Sequence, residues 1–339
     1  MTVMHLRRAY AWHPPLMTVA GLMLVCTLVS AAGVVLDPRE VLGAPAWMKP
    51  LKFSLSISIY TVMWAWLIAH LPRWRALTRT LGTVIALTLT IEQVLIVWAA
   101  ASGTTSHFNV SNRQHAVVWA TMAVSITVMY LCTLVTSAAV FFLRLSTPAL
   151  TLAVRAGVVI ALFGIGVAFL MTVPTPAQLD MPTGIVGAHT VGVADGGPGI
   201  PILGWSTTGG DYRVAHFVGM HALQTLPLFA LLLHALARRV PRLASQTVQL
   251  HITTVAAVLY ALVTGLLTCQ AALGQSVADP SGAVLLTGWV LALTATVATV
   301  VIVTHAPRHS NPTHDLGPDE LAAGPGHGAT ARPSSAHLA

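Results

Sequence analysis

The chain has 339 residues, of which 55% are hydrophobic and only 8% are charged, with 17 basic and 10 acidic side chains. Soluble domains carry roughly a quarter charged residues, so this composition excludes a cytosolic globular enzyme and a disordered chain. The net charge of +7 does not indicate a nucleic-acid partner, because the basic residues form short clusters between apolar runs. We therefore expect an all-α fold, a polytopic helix bundle in a lipid bilayer.

Eight apolar runs are long enough for membrane-spanning helices, which need about 20 residues each. In chain order they are 15–36, 52–71, 80–101, 116–143, 150–173, 215–236, 249–273 and 282–304. Twelve basic residues lie on the side of the N-terminus and five on the opposite side. Because basic residues accumulate in cytoplasmic segments, both termini are predicted to be cytoplasmic. The Ala-, Val- and Arg-rich composition favours a bacterial cytoplasmic (inner) membrane.

The bundle is predicted to be one transmembrane domain over residues 1–305, followed by a tail. The connection 174–214 is much longer than the other loops, and it contains Trp205 and several aliphatic residues. Loops of this length in compact domains are usually functional or disordered, and the apolar content favours an ordered extracytoplasmic loop. The tail 306–339 is rich in Pro, Gly, Ala and His, which predicts a disordered cytoplasmic segment.

Glu92 is an acidic residue near the middle of the third apolar run. An ionisable side chain at this depth costs about 2.5–3.5 kcal/mol on insertion scales. We therefore expect Glu92 to face the bundle and to be protonated, paired or bound to a cation. The sequence predicts a catalytic or proton-carrying role, a metal ligand or the partner of a histidine, and the alternative is a neutral glutamic acid that hydrogen-bonds in the packing.

Histidines form two layers along the predicted helices. The inner layer consists of His70, His234, His251 and His305, and the outer layer of His107, His115, His189, His216 and His221. Imidazole is a common axial ligand of haem iron, and two layers suit a transmembrane di-haem protein. The spacing of thirteen residues between His221 and His234 resembles the histidine pairs of membrane cytochromes b. Pro227 lies between them and is expected to kink the helix.

The first hypothesis is therefore an integral membrane oxidoreductase or electron-transfer protein that binds haem b. The expected axial ligands are His216 or His221 with His115 for the outer haem, and His234 with His70 or His251 for the inner haem. A quinone or another membrane redox protein would be the electron partner. For the histidines at helix ends, capping of carbonyls and contact with lipid headgroups remain the alternative.

Two further hypotheses use the same residues differently. In a proton-coupled transporter, Glu92 would carry the proton, and the polar stripe Tyr260, Thr264 and Thr268 would line the path or form interhelical hydrogen bonds. In a membrane-embedded metalloenzyme, a transition metal ion would bind at the outer face. Its ligands would be His115, His216, His221 and Glu92, with His107 and His189 as further candidates from the loops.

Two polar features complete the predicted site. Lys49 and Lys52 are the only lysines in the chain and lie on the outer side. They would bind a haem propionate, a lipid phosphate or another anion, or they extend along the helix surface toward water. His189 and Asp195 are expected to point inward from a loop that covers the outer cavity.

Overall fold

The structure is a computed structural model that describes residues 7–306. The predicted tail falls outside the described residues from position 307 onward. After a helical stretch at 7–10, the helices are α1 (Pro14–Leu36), α2 (Met48–His70), α3 (Arg75–Ala101), α4 (Arg113–Val140), α5 (Pro148–Val167), α6 (Pro176–Asp180), α7 (Tyr212–Met220), α8 (Ala222–Leu236), α9 (Gln246–Ala272) and α10 (Gly282–Thr304). Two antiparallel ribbons pair β1 (Glu40–Val41) with β2 (Ala44–Pro45), and β3 (Thr190–Val191) with β4 (Gly210–Asp211).

Among the described residues, seven helical segments are long and apolar enough to cross a membrane, and the bent pair α7 and α8 makes an eighth if it forms one span. The chain is thus a multi-pass α-helical membrane protein. Helix α2 begins at Met48 and α3 at Arg75, earlier than the predicted runs, because helical hydrogen bonds continue into the polar flanks. Lys49 and Lys52 consequently belong to α2.

Side-chain caps define the starts of two helices. The Asn112 side chain accepts a hydrogen bond from the backbone N–H of His115 at 2.9 Å at the start of α4. The Thr147 hydroxyl accepts one from the N–H of Leu150 at 3.1 Å at the start of α5. These caps satisfy donors that have no partner within the helix.

The largest core cluster joins most of the helices in the bundle. It includes Trp64, Leu67 and Ile85 among α1 to α4 and continues into α5 and Leu223 of α8. Helix α5 packs against α7, α8 and α9, while α10 lies along α9 at the edge of the bundle. A very close helix contact joins Gly164 of α5 and Gly219 of α7, where a Cβ built on either glycine would lie 2.6 Å from the Cα of the other.

The loops gather at opposite ends of the bundle. Segments 37–47, 102–112, 168–211 and 273–281 form one end, which we call the outer end. There, Arg39 donates to the carbonyl of Ala101 at 2.8 Å, and Ser276 donates to the carbonyl of Ser206 at 2.8 Å. The opposite, inner end holds the short loops after α2, α4 and α8. The bent pair α7 and α8 follows the outer segment 168–211 and precedes the short loop after α8.

The break between α7 and α8 lies at His221, where the helix axis bends by 47°. Pro227, where the sequence predicts a kink, lies inside helix α8, six residues beyond the break. The bend occurs where the glycine contact with α5 forms and where the Tyr260 hydroxyl donates to the free carbonyl of Val218 at 2.7 Å. Contacts from the neighbouring helices α5 and α9 therefore stabilise the break.

Candidate functional site

One face of α2 points into a polar site near the outer end of the bundle. Lys49, Lys52, Phe53 and Ser56 follow the spacing of neighbours on a helix surface. The Lys49 ammonium lies 3.1 Å from Nδ1 of His107. The ammonium of Lys52 donates to the carbonyl of Leu203 at 2.9 Å. The two lysines are thus engaged with two different outer loops.

His107 is the central residue of this site. Its Nδ1 lies near the Lys49 ammonium and 2.9 Å from Oγ of Ser106, while its Nε2 lies 3.4 Å from Oε1 of Glu92. An ammonium can only donate hydrogen bonds, so Nδ1 accepts and Nε2 carries the hydrogen that faces Glu92. The imidazole ring therefore links a cationic donor to a carboxylate.

Glu92 is enclosed by the bundle, and its side chain is only 3% exposed. It lies nine residues before the end of α3 at Ala101, or about 13 Å at 1.5 Å per residue. Its Oε2 has no hydrogen-bond partner among the described residues. A carboxylate oxygen held in this way is available to a proton or to a cation.

Aromatic rings enclose the imidazole of His107. The ring centroids of Phe53 and Trp119 lie 5.9 Å and 5.6 Å away. Phe108 contacts Trp119 at 5.1 Å and adopts a φ of 65°, a left-handed conformation that is uncommon outside glycine. The side chain of His107 nevertheless keeps 18% of its surface exposed, so water can reach it. Burial and the nearby Lys49 charge lower the pKa of His107 well below its ordinary value.

His189 lies on the same aromatic ring from the long outer loop, 4.9 Å from the centroid of Phe108. Its Nδ1 lies 2.6 Å from Oδ2 of Asp195. Burial lowers the pKa of His189 despite this hydrogen bond. Burial alone would raise the pKa of Asp195, but the hydrogen bonds from His189 and Thr190 hold it well below its usual range. A carboxylate therefore fixes the orientation of the imidazole.

We refer to Lys49, Glu92, His107, His189 and Asp195 as the outer cluster. The Lys49 ammonium interacts electrostatically with Glu92, His107 and Asp195. The cluster brings together groups from α2, α3 and two loops that are far apart in the chain. It contains both groups that donate protons and groups that accept them.

His216 and His221 flank the helix break next to the outer cluster. The Nδ1 of His216 lies 2.8 Å from the carbonyl oxygen of Gly164. The Nε2 of His221 lies 3.2 Å from Oγ of Ser56, and its Nδ1 lies 3.2 Å from Oε1 of Gln224. Ser56 is one turn beyond Phe53, so the same face of α2 connects the outer cluster to the break.

Four of the predicted ligands lie away from this site. His115 contacts the cap of its own helix, with Nδ1 3.1 Å from the side chains of Ser111 and Asn112. His70 is exposed, and its Nδ1 lies 2.8 Å from the carbonyl oxygen of Trp66. His234 and His251 are also exposed.

The residues fit a pair of bis-imidazole haems poorly. His216 is oriented by a backbone carbonyl, as an axial imidazole often is, but the imidazole of its expected partner His115 contacts Ser111 and Asn112 at the start of α4. The three inner candidates are exposed, and the imidazoles of His70 and His234 contact Trp66 and Gln249, respectively. For the metal hypothesis, no group of three or more His, Cys, Asp or Glu among residues 7–306 could hold an ion. The set His115, His216, His221 and Glu92 is thus not brought together.

The sequence interpretation placed His107 in the outer histidine layer and among the additional metal ligands from the loops, and it did not connect Lys49 with Glu92. A signal was present, because His107 follows the helix that carries Glu92 after a short polar loop. The pairing with Lys49 had no local signature, since the two residues are 58 positions apart.

Comparison of the chain with protein-family models, curated proteins and solved structures finds no match.

Proposed function

We propose that the chain is a proton-coupled membrane transporter whose coupling site is the Lys49–His107–Glu92 chain. The observation that carries this proposal is the imidazole of His107 between an ammonium and an enclosed carboxylate. Ionisable residues inside transmembrane bundles most often belong to ion pathways and proton relays. Proton coupling needs ionisable groups that can exchange a proton, and these three side chains supply them.

The relay follows from the tautomer of His107. A proton passes from the Lys49 ammonium to Nδ1, and the hydrogen on Nε2 passes to Glu92. The transfer converts an ammonium and a carboxylate into a neutral amine and a neutral acid, and the total charge is unchanged. Ions are costly in a desolvated site. Closure of the site therefore disfavours the ammonium–carboxylate form more than the neutral amine–acid form. That difference couples protonation to conformation.

The broken helix supports the transport part of the proposal. Discontinuous helices whose unwound backbone lies near the bilayer centre form the substrate sites of many secondary transporters. The break at His221 lies nine residues from the start of α7 at Tyr212, a depth similar to that of Glu92. We place the substrate between this break and the outer cluster, with the loop around His189 as its cover.

The membrane orientation belongs to the same proposal. The concentration of arginines at the inner end favours a cytoplasmic location for that end, and hence for both termini. The outer cluster then faces the extracytoplasmic side of a bacterial inner membrane, and eight crossings result when α7 and α8 form one span.

Charge displacement on a solid-supported membrane tests the proposal with the proton itself as the probe. Full-length protein is reconstituted in liposomes, and the buffer is stepped from mildly alkaline to mildly acidic. We expect a transient current in the wild type that is lost in Glu92→Gln. The matched control is Glu40→Gln, which removes an exposed carboxylate at the outer end. An unchanged current in Glu92→Gln would overturn the proposal, and so would an equal loss in the control.

Haem binding is the second candidate, and the orientation of His216 by Gly164 is the observation that favours it. When bound, haem would supply one-electron chemistry, with a quinone or a membrane redox protein as the partner. The test is an absorption spectrum of the purified protein before and after reduction with dithionite, together with metal analysis. The transporter proposal predicts no Soret band and no stoichiometric metal.

A further inference from the structure

The described residues are strongly polarised in charge along the bundle. Every acidic residue in this part of the chain lies in the outer loops or in the outer half of α3, namely Asp37, Glu40, Glu92, Asp180, Asp195, Asp211 and Asp279. The arginines at the inner end are Arg7, Arg8, Arg73, Arg75, Arg79, Arg144, Arg155, Arg238, Arg239 and Arg242. Within residues 7–306, the inner end therefore has no carboxylate to neutralise its charge.

An apolar groove of about 470 Å³ opens on the side of the bundle at this end. Its walls come from the start of α3 and from the facing parts of α4 and α5, and include Trp74, Leu134, Phe142 and Leu162. The ring centroids of Trp74 and Phe142 lie 5.3 Å apart. The groove is thus lined by aromatic and aliphatic groups where the helices reach the edge of the bilayer.

Basic groups surround the mouth of the groove. The guanidinium of Arg73 lies 4.9 Å from the ring centroid of Phe142, and Arg144 follows Phe142 by two residues and is exposed. Arg155 donates through Nη2 to the carbonyls of Phe141 and Leu143 at 2.7 Å and 3.1 Å. The Nε of Arg155 is buried and has no partner among the described residues.

We infer that this groove binds an anionic phospholipid, independently of the proposed transport function. Its phosphate would bind Arg73 and Arg144, and an acyl chain would occupy the groove beside Trp74. A lipid supplies both an anion for these arginines, which have no carboxylate beside them at the inner end within residues 7–306, and an apolar chain that matches the walls. Basic pockets between transmembrane helices commonly bind lipid headgroups in this way.

Native mass spectrometry of the full chain in detergent tests the inference. Phosphatidylglycerol is titrated against phosphatidylcholine with identical acyl chains, and the first bound lipid is quantified. We expect the wild type to prefer phosphatidylglycerol. The double variant R73Q/R144Q should weaken this binding about 30-fold, at roughly fivefold for each arginine near a lipid surface. The matched control R238Q/R239Q removes the same charge elsewhere at the inner end and should have a much smaller effect.

Three results would overturn the inference. Equal binding of both lipids would remove the role of headgroup charge. Equal losses in the two double variants would indicate diffuse attraction to the whole inner end. Selective phosphatidylglycerol binding that is absent in the wild type and appears only in the full-chain variant D315N/D319N/E320Q would show that the acidic tail, not a lipid, occupies the arginines of the native protein. A thermal melt of each variant checks that it is folded.

Discussion

The contact between Gly164 and α7 gives the sharpest stability prediction. A Cβ at position 164 would lie 2.5 Å from the carbonyl carbon and 2.6 Å from the Cα of Gly219, and it would also overlap the backbone nitrogen of Met220. Ordinary Cβ contacts begin near 3.4 Å. For Gly164→Ala, the two helices must therefore separate by about 0.9 Å, because backbone atoms cannot rotate away.

We expect Gly164→Ala to lower the free energy of unfolding by about 2–4 kcal/mol. Overpacking of this kind typically costs about 1–3 kcal/mol, and misalignment of the His216 hydrogen bond to the Gly164 carbonyl adds about 1 kcal/mol. In thermal unfolding followed by tryptophan fluorescence in detergent, the midpoint should fall by roughly 5–10 °C.

Gly166→Ala is the matched control for this prediction, because it lies on the same helix with its nearest neighbour, Oη of Tyr130, at 3.7 Å. It should be neutral or stabilise by up to about 1 kcal/mol, as expected when alanine replaces glycine in a helix. Equal midpoints for the two variants would refute the argument that backbone contact at position 164 fixes the packing of the broken helix.

Two further predictions concern single hydrogen-bonding groups. Tyr260→Phe should destabilise the bundle by about 1 kcal/mol in the same melt, because the Val218 carbonyl at the helix break loses its donor; Tyr130→Phe is the control. Asp195→Asn should speed proteolytic cleavage of the outer loop, because the hydrogen bonds between the Asp195 carboxylate and His189 lose their charge assistance, at a cost of about 2 kcal/mol. Since the folded pKa of Asp195 is lowered, this stabilisation is present above its unfolded pKa and is lost as the pH falls through the folded value. A cleavage rate in the wild type that stays constant on acidification would contradict this assignment.

Hydropathy predicted the positions of the long apolar helices well. In lipid, the backbone N–H and C=O groups of an apolar segment must be hydrogen-bonded within the protein, so such a segment forms a helix. The polar starts of α2 and α3 were missed, since hydropathy does not report where helical hydrogen bonds begin. The break at His221 was also missed. Proline is a local signal for a kink, whereas this break depends on Gly164 and Tyr260, which lie on other helices.

The candidate site was only partly predictable for a similar reason. Glu92 was identified because a buried carboxylate in an apolar run is costly wherever its partner lies. Nothing in the local sequence distinguishes its partner His107 from other polar loop histidines. The contact depends on how the loop 102–112 packs over α2, which the folded structure shows. The predicted histidine layers followed from depth alone, and depth does not distinguish a side chain that faces the bundle from one that faces its surface, as His70 and His251 do.

The position of α10 has a consequence for how the protein is made. This helix lies along α9, carries no charged residue and buries almost none of its side chains against the rest of the chain. Its insertion by the translocon is therefore favoured by partitioning of its Leu, Val and Ala side chains into lipid, before any docking occurs. The preceding helices can complete their packing while α10 is still being synthesised. Selection should consequently preserve the apolar character of α10 while allowing its individual residues to drift.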